Sequence, residues 1–342
     1  MGLMAVTYCI SGFINGTLLF SRLQAGEAAA SHDSPYRYIF YSVIILSATY
    51  LIARGQMRLL FSTRNLLKEK ENALKVIEDQ KSILEHREKE ITDSLIYAKR
   101  IQEALLPSEP YLRKYLENAF ILYKPKDIVS GDFYWIGQKG ENVFIVAADC
   151  TGHGVPGAIM SMIGLEIIER TLNKGKFDLP SQILSILDLE LEKTFSREKN
   201  EGNIIRDGMD IGLCRIDIRN RKLIFSGSFF PMYMIRNNTL TEIKSDKIVI
   251  GMNPEANSFT DQEIDLEADD IFYLFSDGYV DQFGGEEQRK FMYRRFRYLL
   301  LTIHRFPVED QKSILEENLR SWMGENVQVD DIMIIGFKPV VS

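Results

Sequence analysis

Asp149 stands between an apolar run and a glycine-rich turn. Residues 143–148 are apolar, Cys150-Thr151-Gly152-His153-Gly154 follows the acid, and Pro156 begins a second apolar segment. The first run is typical of a buried strand, and proline suits the first turn of a helix. A carboxylate is therefore expected at the carboxyl end of a strand. From this stretch alone, Asp149 is equally a turn-forming or helix-capping residue and a ligand.

The same arrangement, an acid at the edge of an apolar run, recurs three times. Asp132 follows Gly131, Asp277 follows the run that begins at Ile271, and Asp330 precedes the run at 332–337. Four acids at strand edges suggest that the fold gathers them into one cluster. Carboxylate oxygens are the ligands that hard divalent cations prefer, so the pattern leads to the hypothesis of a metal site.

Charge and composition argue against several other classes of protein. The net charge of -7 makes nucleic acid an unexpected partner. The three cysteines and four histidines are scattered, which argues against a disulfide framework and against a zinc hydrolase. This composition fits a main body in the reducing cytoplasm.

Residues 1–58 are expected to form an N-terminal membrane region. Two uncharged runs, at about 2–21 and 38–53, would form a hairpin, although the second is slightly short for a span of roughly 20 residues. Arg54 and Arg58 follow the second run, so the rest of the chain is expected on the cytoplasmic side of the inner (or plasma) membrane. The alternatives are a signal peptide, which would lack its usual positive start, and two buried helices of a soluble chain.

Residues 60–107 are predicted to form a coiled-coil signalling helix. Apolar residues recur every seven positions, at Ile77, Leu84, Ile91, Ala98 and Leu105. The repeat favours a homodimer, and polar residues at some second seam positions suggest that the register can change. The alternative is an amphipathic helix that lies on its own domain. Pro107 ends the helix in either case.

Residues 108–342 are predicted to form one α+β domain. Strands are expected at 119–124, 133–138, 142–148, 271–276 and 332–338 and in a meander over 209–244. Helices are expected at about 156–173, 180–196, 286–304 and 308–322. Runs of strands separated from pairs of helices favour a layered fold over alternating βαβ units.

Four motifs in this domain occur in an order that resembles a known family. They are G-D-F-Y-W at 131–135, A-D-C-T-G-H-G-V-P-G-A at 148–158, F-S-D-G-Y-V-D-Q-F-G-G at 275–285 and V-D-D-I at 329–332. Together they resemble the PPM-type metal-dependent serine/threonine protein phosphatases, most closely the bacterial SpoIIE/RsbU-like branch. The resemblance covers about residues 95–340 and implies an α-β-β-α sandwich of two antiparallel sheets flanked by helix pairs.

The resemblance also implies a site with two Mn²⁺ or Mg²⁺ ions. Asp149 would bridge both ions, and the backbone carbonyl of Cys150 would be a further ligand. Asp277 and Asp330 would complete one ion, and Asp132 would bind from the other side. A metal-activated water would attack phosphorus in line, so no protein nucleophile is expected.

Two further residues near these motifs, His153 and Asp331, are expected to act beside the metal ligands. In animal-type relatives a histidine follows the bridging acid more closely than His153 does, so the general-acid role does not transfer by position. A structural role for His153 at the helix start is favoured. Asp331 is expected to shape its turn or to reach a metal-bound water.

The end of the predicted coiled coil resembles the linker that precedes these phosphatase domains. Residues 98–107 are similar to the pattern A-x-x-I-Q-x-x-L-L-P, whose defined positions here include Ile101, Gln102, Leu105 and Leu106. In relatives this linker couples upstream regulation to assembly of the metal site. The resemblance therefore implies a switch in which helix rotation or dimer rearrangement completes the site.

Three other segments are open to more than one interpretation. Gly284-Gly285-Glu286-Glu287 matches a diguanylate cyclase signature but is interpreted as a loop. The basic cluster at 289–297 is a solvated face or, alternatively, a phosphoprotein-docking surface. The polar segment 200–207 corresponds to a region that is often a flexible flap in the family.

The leading hypothesis is a membrane-tethered phosphatase that is regulated by its upstream helix. The resemblance implies a phosphorylated signalling protein as substrate, in particular a STAS-type anti-sigma-factor antagonist of a partner-switching system. A catalytically weak scaffold that docks phosphoproteins is an alternative, and a two-metal nucleotide cyclase is a third possibility. The four intact acidic motifs argue against the scaffold, and no set of nucleotide-binding segments supports the cyclase.

Overall fold

The computed structural model describes residues 17, 21, 35–174, 177–196, 208–251 and 258–339. The expected first membrane helix at about 2–21 therefore lies outside the described residues, apart from positions 17 and 21, and so does the polar segment 200–207.

The described ranges contain long and short helices and twelve strands. The helices are α1 (Pro35–Leu105), α2 (Glu109–Tyr115), α3 (Val155–Lys174), α4 (Pro180–Ser196), α5 (Gly278–Asp281), α6 (Met292–Ile303) and α7 (Val308–Met323). The first six strands are β1 (Asn118–Lys124), β2 (Phe133–Lys139), β3 (Asn142–Cys150), β4 (Met209–Asp217), β5 (Lys222–Ser228) and β6 (Met232–Arg236). The others are β7 (Thr239–Ile243), β8 (Gln262–Asp265), β9 (Ile271–Phe275), β10 (Phe283–Gly284), β11 (Arg289–Lys290) and β12 (Ile332–Lys338).

The chain divides into two compact units, residues 1–90 and 91–342. Helix α1 supplies the described part of the first unit, and its side chains there are almost all exposed, Ile77 and Leu84 among them. No proline or glycine occurs between residues 56 and 106, so nothing interrupts the helix before Pro107. An 18-residue window in this helix has a mean hydropathy of 1.3, and none of it is buried. By length and composition alone, the helix could cross a membrane.

Two five-stranded sheets form the centre of the second unit. Their strand orders are β1-β12-β9-β6-β7 and β2-β3-β4-β5-β8, and neighbouring strands are antiparallel throughout. One apolar core lies between the sheets and contains Ile145 and Leu274. A second core joins the β2-to-β8 sheet to α3 and α4, and a third joins the other sheet to α6 and α7. The predicted α-β-β-α sandwich is confirmed.

Strand β3 shows why this sheet is apolar on both faces. Phe144 and Val146 pack in the core under the helices, whereas Val143, Ile145 and Ala147 pack between the sheets. Successive side chains of a strand point to opposite faces, so a continuous apolar run is needed where both faces are covered.

The region after α5 differs from the sequence-based prediction. The segment interpreted as a loop at 284–287 lies in a small antiparallel ribbon, in which Phe283 pairs with Lys290 and Gly284 with Arg289. Gly285 has a φ of +69°, which lets the chain turn tightly there. The helix expected from residue 286 consequently begins only at Met292.

Candidate functional site

Two of the site acids, Asp132 and Asp149, continue the strand faces that point into the space between the two sheets. Asp132 is two positions before Tyr134 of β2, and Asp149 is two positions after Ala147 of β3. Tyr134 and Ala147 both belong to the core between the sheets. Since side chains alternate along a strand, both acids point into the same space. Ser276 and Asp277 arrive there from the end of β9 in the opposite sheet. The acids therefore meet at one edge of the sandwich.

Asp132 is the most deeply buried of the expected ligands, with 1% of its surface exposed. Its Oδ2 accepts a hydrogen bond of 2.6 Å from Ser276 Oγ, and Ser276 Oγ in turn accepts one of 2.9 Å from the backbone N–H of Met333. Its Oδ1 is buried and has no hydrogen-bond partner among the described residues. Burial and the neighbouring Asp149 raise the pKa of Asp132 well above its usual value.

Asp149 is the electrostatic centre of the group. Burial raises its pKa to about 8, and Asp277, Asp330 and Asp210 add to the rise. Burial also raises the pKa of Asp277, with Asp281 and Asp330 as further causes. These shifts show that the fold holds several partly buried carboxylates close together.

Asp210 was missed in the sequence analysis. It is directly opposite Asp149 in the antiparallel register of β3 and β4. Burial raises its pKa to about 6, and Asp277 contributes. Its place opposite Asp149 comes from the pairing of β3 with β4, which no local sequence signal marks.

The residue types at this edge of the sandwich fit a hard divalent cation. Across the residues that the structure describes, no group of three or more His, Cys, Asp or Glu side chains is arranged to hold a metal ion. The carboxylates nevertheless lie close enough to raise the pKa of Asp149. The buried Oδ1 of Asp132 has no hydrogen-bond partner among the described residues. Carboxylate oxygens without cysteine or histidine suit Mg²⁺ or Mn²⁺.

Asp331 and Gly131 bring the loop before Asp132 against the turn after Asp149. Asp331 accepts hydrogen bonds of 2.7 Å from the backbone N–H groups of Lys126 and Gly131. A Cβ on Gly131 would lie 2.8 Å from the carbonyl oxygen of Gly152 and 3.3 Å from that of Cys150. Only glycine allows so close an approach, and Asp331 holds the loop through both oxygens.

Cys150 and His153 lie beside the acids but have different surroundings. Burial, together with Asp149, raises the pKa of the Cys150 thiol well above its usual value, so the thiol is unsuited to act as a nucleophile. His153 is about half exposed, and its Nδ1 lies 2.8 Å from Oδ2 of Asp127. His153 therefore pairs with an exposed acid of the neighbouring loop.

Gln102 is the linker residue that contacts the site region directly. It is 3% exposed, and its Nε2 donates to the backbone carbonyl of Ser130 (2.7 Å) and to Ser161 Oγ (2.8 Å). Its Oε1 accepts from the backbone N–H of Ser130 at 3.1 Å. Ile101 and Leu105 are exposed, and Leu106 is half-buried. The side chain of Gln102 thus joins the end of α1 to the segment before Asp132 and to α3.

Comparisons with known proteins agree with this architecture. Residues 139–339 match the family model of Stage II sporulation protein E (SpoIIE). The SiaA-PP2C domain of Pseudomonas aeruginosa is similar at 35% sequence identity with a TM-score of 0.67, over 73% of this chain and 98% of that one. No curated protein matches the chain.

Two less similar structures share the fold. The PP2C phosphatase domain of SpoIIE from Bacillus subtilis, with a fragment of its regulatory domain, is 15% identical with a TM-score of 0.53, over 65% of this chain and 63% of that one. A Mycobacterium tuberculosis structure with RsbU and RsbW domains is 15% identical with a TM-score of 0.52, over 65% of this chain and 60% of that one.

The family match covers more than half of the chain and includes the three motifs at 148–158, 275–285 and 329–332. The SiaA domain is 35% identical over 73% of the chain. The resemblance found in those motifs is therefore confirmed, and the chain belongs to the SpoIIE family of PP2C-type serine/threonine protein phosphatases.

Proposed function

We propose that the chain is a membrane-tethered, metal-dependent phosphatase that removes phosphate from serine or threonine of a signalling protein. The observation that carries this proposal is the group of carboxylates at one edge of the sandwich, with the buried and unpartnered Oδ1 of Asp132. Buried carboxylates that raise one another's pKa are costly without a cation, so the arrangement supports a cation-binding role.

Two Mn²⁺ or Mg²⁺ ions would be held by Asp132, Asp149, Asp277, Asp330 and the backbone carbonyl of Cys150. When bound, such ions activate a water molecule and neutralise charge on the phosphoryl oxygens. Asp210 lies beside this set, opposite Asp149.

The protein groups around this set position it. Ser276 orients Asp132 by its hydrogen bond to Oδ2, and Asp331 holds the adjoining loop by accepting from Lys126 and Gly131. No side chain is assigned as the nucleophile, because the buried thiol of Cys150 has a raised pKa. His153 is paired with Asp127 and is assigned to the architecture of the loop.

The substrate is proposed to be a phosphorylated STAS-type protein of a partner-switching system. This part of the proposal comes from the resemblance to the SpoIIE/RsbU-like branch. The long helix is proposed to regulate the site, and the contacts of Gln102 with Ser130 and Ser161 support a direct connection. Membrane attachment is supported by the apolar window of α1, and pairing into a homodimer by its exposed heptad residues.

The test is a phosphatase assay with Mn²⁺ on residues 60–342 and on residues 108–342. Hydrolysis of p-nitrophenyl phosphate and of a phosphoserine peptide by the longer chain is expected, together with a clear loss in the shorter chain, which lacks Gln102. Asp149→Asn should abolish hydrolysis in both. If a dimeric 60–342 that binds Mn²⁺ hydrolysed neither substrate, the proposal would be wrong, and a scaffold role would gain support.

A further inference from the structure

A basic face lies beside the site and plays no part in the proposed metal chemistry. It comprises five cations within nine residues, and that stretch contains no acid, in a chain of net charge -7. These residues are Arg289, Lys290, Arg294, Arg295 and Arg297, and they are called the basic face below. On α6, Arg295 lies on the side of Trp322 and Arg297 on the side of Glu242, with Arg294 between them.

The basic face is fixed close to Asp277. Lys290 Nζ lies 2.7 Å from Oδ2 of Asp281, and the backbone N–H of Asp281 donates to the carbonyl of Asp277 at 2.9 Å. The rings of Tyr293 and Phe275 are 6.4 Å apart, and Phe275 precedes Asp277 by two positions. Ribbon β10-β11 and the start of α6 therefore border the site.

The cations of the basic face are not all neutralised within the chain. Arg289 pairs with Glu287, Lys290 with Asp281 and Arg297 with Glu242. In the described part of the chain, Arg294 and Arg295 have no carboxylate within ion-pair distance. Both side chains are exposed, and Arg295 also stacks over Trp322 at 4.8 Å.

Large apolar side chains accompany these charges. Phe283, Met292 and Tyr293 are 40%, 52% and 42% exposed. Aromatic residues, methionine and arginine are enriched at protein interfaces. Exposed Phe and Met side chains next to arginines therefore favour an interface over a face that only contacts water. The combination fits a protein partner with negative charge.

We propose that the basic face is the docking surface for the substrate, a phosphoprotein whose surface around the phosphorylated residue is acidic. This inference rests on the proposed phosphatase function. The edge of the sandwich is itself acidic, so an acidic partner would be repelled there unless cations nearby compensate. The basic face provides them, with Arg294 and Arg295 as the cations that have no carboxylate partner among the described residues, and the exposed apolar groups supply contact area.

The test compares kinetics of the full chain and its variants with Mn²⁺ on three probes. The probes are p-nitrophenyl phosphate, a short phosphoserine peptide with acidic flanking residues, and the same peptide with lysine flanks. Arg294→Glu should raise KM for the acidic peptide about fivefold, and Arg289→Glu combined with it should raise KM further. Added salt should raise the same KM for the unmodified chain and much less for Arg294→Glu.

A control is Arg219→Glu, a charge reversal at another exposed arginine, in the turn between β4 and β5. Arg219 pairs with Glu141 and lies at the end of β4 away from Asp210. It should leave all three KM values unchanged. For Arg294→Glu, we expect KM to rise for the acidic peptide only. Its KM for p-nitrophenyl phosphate should stay within about twofold of that of the unmodified chain.

Three results would overturn the docking surface. The first is a rise in KM for the acidic peptide that is no larger in Arg294→Glu than in Arg219→Glu. The second is an equal loss on all three probes, which would indicate damage to the site. In either case the unmodified chain still hydrolyses phosphoserine and the proposed function stands. The third is an unmodified chain that hydrolyses p-nitrophenyl phosphate but neither peptide, which would overturn both proposals together.

Discussion

Ser276 is the single residue that most directly controls the geometry of Asp132. Its hydroxyl donates to Oδ2 of Asp132 at 2.6 Å, inside the core between the sheets. Ser276→Ala would remove a hydrogen bond to a buried charged group, worth about 1.5–3 kcal/mol. We expect Mn²⁺ binding to weaken at least about tenfold, measured by isothermal titration calorimetry.

The matched control for this residue is Ser276→Thr, which keeps the hydroxyl. The threonine variant should bind Mn²⁺ within a few-fold of the original chain. If alanine and threonine weakened Mn²⁺ binding equally, the hydroxyl would not be the orienting group, and steric disturbance of β9 would explain both results.

The residue scale also shows where sequence reasoning succeeds and where it stops. The grouping of Asp132, Asp149, Asp277 and Asp330 could be predicted because each stands at the edge of an apolar run, beside or shortly before a glycine or another acid. Asp210 was overlooked because its importance comes from strand pairing: β3 and β4 place it opposite Asp149 from 61 positions away in sequence. Register between distant strands is set by tertiary packing, which a single sequence does not display.

At the scale of elements, the contact between α1 and the loop before β2 is made by one polar side chain. Gln102 satisfies both the N–H and the carbonyl of the buried Ser130. Gln102→Leu would leave the buried N–H of Ser130 unpaired, at about 1–3 kcal/mol, whereas the carbonyl of Ser130 keeps a hydrogen bond of 3.4 Å from Ser161 Oγ. A loss of about 2 kcal/mol lowers Tm by roughly 4–8 °C in a domain of this size, and differential scanning calorimetry would measure it.

Ile101→Ala is the control for this prediction, since Ile101 neighbours Gln102 but is 45% exposed. It should shift Tm by about 1 °C or less. Gln102→Leu should also lower phosphatase activity at temperatures well below its Tm, because Ser130 leads directly to Asp132. A variant with lowered Tm but unchanged activity would limit Gln102 to a structural role.

Element boundaries could be predicted only where local signals dominate. Pro107 correctly marked the end of the long helix, and the strands around Asp149 agree within a few residues. The ribbon β10-β11 was missed, because each of its strands has two residues and carries no alternating pattern. Its turn depends on Gly285 and on packing against Trp322, a contact from α7 that is distant in sequence.

At the scale of the whole molecule, the heptad residues of α1 form an apolar row without a partner in the described single chain. Ile77, Leu84 and Ile91 are each at least 60% exposed. Such a row is stable in water when a second helix covers it, which favours a coiled-coil dimer. We therefore expect residues 60–342 to form a dimer and Leu84→Lys combined with Ile91→Lys to form a monomer, by light scattering coupled to size exclusion.

The same double variant tests whether dimer formation controls catalysis, since a charge at two successive seam positions disrupts the pairing and leaves residues 108–342 unaltered. Its Mn²⁺-dependent activity should fall to the level of the chain that begins at residue 108. Asp93→Lys reverses one charge on the outer side of the predicted coil, away from the seam, and should leave both the dimer mass and the activity unchanged. A monomeric double variant with full activity would separate the two properties and show that the contact of Gln102 with Ser130 suffices for an active site without the paired helices.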